Sequence, residues 1–312
     1  MSKNLFEVKT LRDLIHFGAA EFEAASLYYG HGTDNALDES AVLAFFALNE
    51  TPDYSDERLD QSLTTDSITV VNELFQKRVT TRQPAAYLTH EAWFAGLPFF
   101  VNENVLVPRS PFAELIEEQF QPWVVPEKIN QILDLCTGSG CIAIACAYAF
   151  PNAGVDAADI SKAAIEVAEK NKLKHKLESR LNIIESNLFS NLQGRLYDLI
   201  VSNPPYVDAE DMANLPDEYR HEPELGLAAG ENGLELVIPM LRDAKYHLNP
   251  NGVIIVEVGN SEQALVELFP DIPFMWLDFE FGGEGVFMLD ANEVNKQHDT
   301  FAKAAELIEK KD

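Results

Sequence analysis

Ile132-Leu133-Asp134-Leu135-Cys136-Thr137-Gly138-Ser139-Gly140-Cys141-Ile142-Ala143 reads as a strand, a glycine turn and the start of a helix. Gly138 and Gly140 let the backbone come close to a ligand where a side chain would collide. The free N–H groups at the helix start favour a polar or negative group such as a carboxylate. Asp159 closes the next predicted strand, 159 − 138 = 21 residues beyond Gly138, and an acid about 20 residues on suits the two hydroxyls of a ribose. Gly138-x-Gly140-x-x-Ala143 also satisfies a dinucleotide fingerprint, so a nicotinamide stays open at this point. The plain alternative is a strand-to-helix turn with Asp159 facing solvent.

Asp134 narrows the choice. Four residues before Gly138, it sits near the crevice floor, where it welcomes an ammonium group and repels a pyrophosphate. S-adenosylmethionine carries an ammonium and a ribose but no phosphate. The alternative role for Asp134 is to cap N–H groups of the turn.

Around this unit the chain alternates strand and helix. Strands are predicted at 131–136, 154–158, 181–185, 197–202, 253–258, 274–280 and 285–289, with helices at 141–150, 162–172, 234–248 and 262–268. Such alternation builds a mainly parallel, doubly wound sheet. Gly282-Gly283 turns the last two strands into an antiparallel pair. Upstream, residues 1 to about 80 read as helical. Leu11, Leu14, Ile15, Ala19 and Phe22 recur at helical spacing after Thr10, a predicted N-cap. A second helix runs through Ala41, Val42, Phe45, Phe46 and Leu48, and a third through Ile68, Val71, Leu74 and Phe75. Gln83-Pro84 breaks the pattern. From 86 to 107 the texture is β-like, with Tyr87, Trp93, Phe99, Val105 and Val107, and Gly96 marks a hairpin. Pro108-Arg109-Ser110-Pro111 leads into a helix at 112–120, and an amphipathic helix is expected at 301–311. The division is a helical domain at 1–83, a hairpin and linker helix at 84–125, and a cofactor-binding domain at 126–312.

The 312 residues carry 23 Lys+Arg against 51 Asp+Glu, a net charge of −28. A protein that grips nucleic acid by its phosphates needs a cationic face, and this chain is poorly supplied for one. An anionic membrane surface is disfavoured on the same ground, and a basic protein partner is welcome. No run of about 18 apolar residues spans a membrane. The start Met1-Ser2-Lys3-Asn4-Leu5-Phe6-Glu7 lacks an apolar signal core. Cys136, Cys141 and Cys146 fit neither a disulfide framework nor a zinc site, and the histidines form no cluster, so no metal is expected and the reducing cytoplasm is the expected home. His16 is expected to pack against its helix's apolar face.

The most specific motif is Asn203-Pro204-Pro205-Tyr206 at the end of the fourth predicted strand. Two prolines fix φ and remove two backbone donors, leaving a rigid lip of acceptors: the Asn203 side-chain oxygen and the Pro204 carbonyl. Such a pair receives both hydrogens of a planar NH₂ group and aims its lone pair at an electrophile. Tyr206 can stack on the planar group or face a sulfonium. That edge is where α/β sheets bind ligands.

These residues carry a resemblance. Asp134-x-x-x-Gly138-x-Gly140, Asp159 and Asn203-Pro204-Pro205-Tyr206 resemble the class I S-adenosylmethionine-dependent methyltransferases that modify planar NH₂ groups. Within them the whole chain is similar to the HemK-family glutamine N(5)-methyltransferases, through Pro84-Ala85-Ala86-Tyr87-Leu88-Thr89 and Val107-Pro108-Arg109. The narrower likeness is to the branch acting on large-subunit ribosomal protein L-three, through Pro108-Arg109-Ser110-Pro111-Phe112, Leu135-Cys136-Thr137, residues 218–225 and Val258-Gly259-Asn260-Ser261.

The resemblance implies a Rossmann-like seven-stranded sheet with an antiparallel last hairpin, a small helical N-terminal substrate-recognition domain and a β-hairpin linker. It implies that Cys136, Thr137, Gly138, Ser139 and Gly140 hold the methionine part, Asp159 the ribose, Asn187 the adenine, and Asn203 and Pro204 the glutamine amide, beside Pro205 and Tyr206. Cys136 stands where the broad family has Gly, and Asn187 where it has Asp. An Asn oxygen still accepts a hydrogen bond. Arg109 either contacts the substrate backbone or pairs with an acid. The nine acids between 208 and 235, against one base, Arg220, are either a solvated face or a dock for a basic protein. Competing readings are methylation of a DNA base, which the charge disfavours, glutamine methylation of release factors, a non-catalytic ribosome-assembly module, and a nicotinamide oxidoreductase.

Overall fold

A computed structural model describes residues 5–310; the Met1–Asn4 start and Lys311 at the end of the last expected helix lie outside them. The chain forms two compact units. The first comprises Met1–Ala92, Val101–Glu103 and Pro216–His221, and the second Trp93–Phe100, Asn104–Leu215 and Glu222–Asp312.

In the first unit, helices Leu11–Ala24, Ala36–Ala47 and Thr65–Thr81 pack around Phe22, Leu43, Phe45, Val71 and Phe75. Thr10 caps the first: its side chain accepts the Asp13 N–H while Asp13 answers to the Thr10 N–H. This capping box satisfies two orphan donors at once. Gly18 is required where that helix meets Phe75, whose ring lies 2.4 Å from where a Cβ would stand. Pro84 starts a short helix, Ala85–Thr89. Tyr87 is therefore helical rather than extended, because Pro84 and two alanines favour a helix start and Thr89 bonds back to the Ala85 carbonyl. A hairpin follows, β1 (Glu91–Phe94) and β2 (Leu97–Phe100), turning at Ala95-Gly96, and from Trp93 to Phe100 it is counted with the second unit. Val105 and Val107 lie buried in irregular chain instead of a strand.

In the second unit, β3 (Gln131–Leu135), β4 (Gly154–Asp159), β5 (Leu181–Glu185), β6 (Tyr197–Ser202), β7 (Leu248–Glu257), β8 (Met275–Trp276) and β9 (Val286–Asp290) form one sheet, in the order β5-β4-β3-β6-β7-β9-β8. The first five are parallel; β9 runs antiparallel to β7 and to β8. This is the class I methyltransferase topology. Cores lie on both faces, one around Ile132, Ile144 and Val201, the other around Leu133, Ile200 and Met240. The order reverses at β3/β4 against β3/β6, which opens a crevice at the carboxyl ends of those strands.

Three expected elements shift. The strand expected at 274–280 is only Met275–Trp276, because the Glu114 carboxylate accepts the Glu280 and Phe281 N–H groups and takes them out of the ladder. The helix expected at 234–248 is Val237–Ala244, and β7 starts early, at Leu248. The last helix starts ten residues before 301, at Ala291, where Asp290 caps it by accepting the Glu293 N–H.

Candidate active site

The turn after β3 is wound in left-handed backbone. Cys136 has φ +59°, Gly138 +54° and Gly140 +79°. A non-glycine residue there carries a cost of about 1–2 kcal/mol, which is the physical reason a glycine suits position 136. Gly140 caps helix Cys141–Ala149.

Asp134 is fully buried. Its Oδ2 accepts the Thr137 hydroxyl at 2.5 Å and the Ala143 N–H at 3.1 Å. Its Oδ1 is buried with no hydrogen-bond partner. Burial drives its carboxyl up to about 7, against the lowering effect of those two bonds. Asp134 thus fastens the turn to the helix start, the capping role. Asp134 is not among the residues of the cavity wall. Asn171, also buried, ties a further segment in: its amide donates to the Ser139 and Phe100 carbonyls.

A cavity of about 260 Å³ opens at the sheet's carboxyl edge. Of the sequence-predicted cofactor residues, Cys136, Gly138, Asp159, Asn187 and Asn203 stand in its wall. Thr137, Ser139 and Gly140 do not; they shape the turn from behind. Asp159 accepts the Gly138 N–H through Oδ2 at 2.9 Å and the Ser161 N–H through Oδ1 at 2.9 Å. Each carboxylate oxygen has further lone-pair capacity, so Asp159 can still accept from hydroxyls. Burial raises its carboxyl above the usual range, partly offset by those backbone donors. The wall between them is apolar: Leu106, Ala158, Ile160, Leu188 and Leu236.

Asn203 and Pro205 form the opposite side of the cavity. The Asn203 amide makes no hydrogen bond to protein among the described residues. Pro204 is buried and, with Tyr206, lies outside the wall. Tyr206 is held from three sides. Its hydroxyl donates to Glu257 at 3.0 Å, its carbonyl accepts the Ser261 hydroxyl at 2.9 Å, and its ring lies on Gly259, where a Cβ would come within 2.5 Å. Glu257, at the end of β7, also accepts the Ser110 hydroxyl, and burial raises its carboxyl despite both bonds. The signal for Glu257 lies in the sequence as one acid ending the apolar run Val253-Ile254-Ile255-Val256. Pro223, Leu225 and Gly226 complete the wall from the segment after the lip, which returns because Val207 pairs with residues 227–229.

Arg109 pairs with an acid. It makes a bidentate contact with Glu222, at 2.6 and 2.7 Å, and Glu222 also accepts the Val107 N–H. This fork fixes the residues that precede Pro223 in the wall and gives Arg109 the acid-pairing role that the sequence offered as one of two. All three cysteines are free thiols, and among the described residues no cluster of metal-ligating side chains forms.

Residues 117–216 match the family described as methyltransferase small domain. The chain is 48% identical over 299 residues to a protein of Xylella fastidiosa (strain 9a5c) named ribosomal protein uL3 glutamine methyltransferase, with 96% of each chain covered. It is 44% identical over 295 residues to the protein of that name from Francisella tularensis subsp. tularensis (strain SCHU S4 / Schu 4), with 94% of each covered. Among solved structures, a ribosomal protein L11 methylase from Lactobacillus delbrueckii subsp. bulgaricus is 20% identical, covers 57% of this chain and 74% of its own, and has a TM-score of 0.37.

Proposed function

The chain belongs to the ribosomal protein uL3 glutamine methyltransferases, and from that premise we propose how its crevice transfers a methyl group to the side-chain amide nitrogen of a glutamine in that ribosomal protein. S-adenosylmethionine, when bound, supplies the activated methyl group on its sulfonium. The cavity suits it. Asp159 keeps lone pairs for the ribose hydroxyls, the apolar wall suits a purine, and the Asn187 side-chain oxygen can accept from the adenine amino group. The backbone of the Cys136–Gly140 turn receives the methionine part.

The observation that carries the reading is Asn203: an amide in the cavity wall, at a strand's carboxyl end, with no protein partner. Its oxygen and the Pro204 carbonyl take the two hydrogens of the glutamine amide. Those acceptors fix the nitrogen's orientation and strengthen as it gains positive charge, which is the effect that speeds the reaction. Tyr206, held by Glu257 and Ser261, backs the lip. An amide is a weak nucleophile, so positioning carries most of the acceleration, and the surplus proton passes to water. Asp134 acts by holding the turn, and Arg109 by holding Glu222.

Removing one well-placed hydrogen-bonding group from such a site costs on the order of 10²–10³ in rate. Asn203→Ala is expected to lose at least that much kcat, with the cofactor Kd within about twofold. Calorimetric titration and labelled-methyl transfer measure the two, and unchanged turnover would sink the reading. Mass spectrometry of a deletion strain names the substrate: a methyl missing from one glutamine of uL3 is expected, and one missing from a release factor instead overturns the assignment. The charge of −28 favours this basic protein over nucleic acid. The place of action is the cytoplasm, where the substrate is made, and the helical segment at 1–83 receives the ribosomal protein. Among the described residues no helix is long and apolar enough to cross a membrane.

A further inference from the structure

The helical unit carries a groove that the transfer chemistry does not use. Ile15 and Ala41 form its buried floor, Leu37, Tyr54 and Leu59 its walls, and the volume is about 140 Å³, room for one bulky apolar side chain. His16, Arg12 and Asp38 stand at its edge. His16 is exposed rather than packed on its helix, because the apolar neighbours expected to cover it line this open groove. From Ala41 to Ala47 the helix Ala36–Ala47 is apolar all round, a composition that belongs to a covered helix, yet Val42 is 37% and Phe46 47% exposed, as is Leu37 at 43% in its first turn.

The surroundings are strongly acidic. Residues 34–66 hold nine acids and one base, Arg58. Arg58 is bound to Glu50, and Arg12 to Asp56 and Asp60. Asp34, Asp38, Asp53, Glu57 and Asp66 form no ion pair among the described residues. The backbone and side-chain bonds from Ser55 hold the Asp53 carboxyl below the usual range, so it stays charged.

We infer that this groove docks a cationic segment of the ribosomal protein, inserting one apolar side chain between Leu37 and Tyr54 while its lysines and arginines face the acidic rim. This deepens the functional reading above and rests on it for the partner's identity. A second copy of the chain is the poorer occupant, since it would bring the same acids face to face. Charge complementarity of this kind acts on association and is screened by salt.

Full-length enzyme carrying Asp38→Lys/Asp53→Lys, and separately Tyr54→Ala, tests it against purified uL3. Two readouts are taken: anisotropy of labelled uL3 on enzyme, and KM and kcat of methylation. Each variant is expected to weaken binding and raise KM about tenfold, with kcat at saturation and cofactor Kd within about twofold. The charge-reversed variant should also show a flatter dependence on salt. Unchanged binding in both variants, or a dimer of the wild type that the variants dissociate, overturns the inference. Wild-type enzyme that binds uL3 but transfers no methyl to it overturns the functional reading and leaves the groove standing.

Discussion

Two stretches of the chain have the same charge arithmetic and opposite fates. Residues 34–66 and 208–235 each hold nine acids and one base. In the first, eight acids are exposed and only Glu39 is buried. In the second, Glu218 and Glu222 are buried, Asp208 caps helix Ala209–Asn214, and Asp211 accepts from Asn260. Glu222 serves Arg109, and Glu218 accepts the Tyr28 N–H and the Arg82 guanidinium. Arg78, itself fully buried, takes one carboxylate from each stretch: Glu39 at 2.7 Å and Glu218 at 3.5 Å. Net charge counts acids without saying which ones are occupied. The stretch beside the lip, which looked the better dock, spends several carboxylates on its own architecture, while the stretch on the helical unit leaves most of its carboxylates facing water.

Three experiments can break or sharpen that contrast. The largest effect belongs to Arg78→Met, which strands Glu39 without its cation and leaves Glu218 to Arg82 alone. Removing one member of a buried ion cluster costs about 3–5 kcal/mol, readable by urea unfolding, and adding Glu39→Gln/Glu218→Gln should recover part of it. A loss below about 1 kcal/mol would erase the division into inward and surface acids. Next comes Asp134, an inward acid whose carboxyl lies up at about 7 in the folded chain. Its folded value is raised, so the folded state holds the proton more tightly. The stability tied to that proton is complete below the ordinary carboxylate range and is lost as pH rises toward 7. Between pH 5 and 8 the wild type should lose about 2 kcal/mol relative to Asp134→Asn, and parallel pH–stability curves would refute this. The smallest effect is on stability at the surface. Asp38→Lys/Asp53→Lys should lose far less stability than Arg78→Met in the same urea titration, and Glu210→Lys, in the other stretch, should leave KM for uL3 within about twofold. A Glu210→Lys effect as large as the Asp38→Lys/Asp53→Lys effect would return the dock to the segment after the lip.

What the sequence made legible was local. The strand–turn–helix around Gly138 and the strands leading to Asp159 and Asn203 announce themselves in apolar runs ended by glycine, proline and acid. The Thr10 cap is equally local. Around Tyr87 the helix signal of Pro84-Ala85-Ala86 is local too, but it is outweighed by the aromatic run that follows. What it hid depends on partners far along the chain. Nothing near Glu280 says that Glu114 will claim its N–H, and nothing near Arg109 names Glu222, 113 residues away, as its fork. The return of Pro216–His221 to the helical unit is invisible for the same reason. Asp134 had two readings from sequence, and its burial and two donors supply the capping one.

Behind the lip, Gly285 lies against the Gly259 backbone, Gly259 against the Tyr206 ring, and Gly233 against the Tyr206 carbonyl, each so close that a Cβ would come within 2.5 Å of its neighbour. Close-set glycine backbone thus sets the standoff of Tyr206, with the short Ser261 side chain as the one other group pressed against Gly233. Cores elsewhere absorb a substitution by changing rotamers. This column is mostly main chain, and its Tyr206 and Ser261 side chains are tied by hydrogen bonds, so a single added methyl group here would move the lip itself, and with it the acceptors that aim the substrate nitrogen.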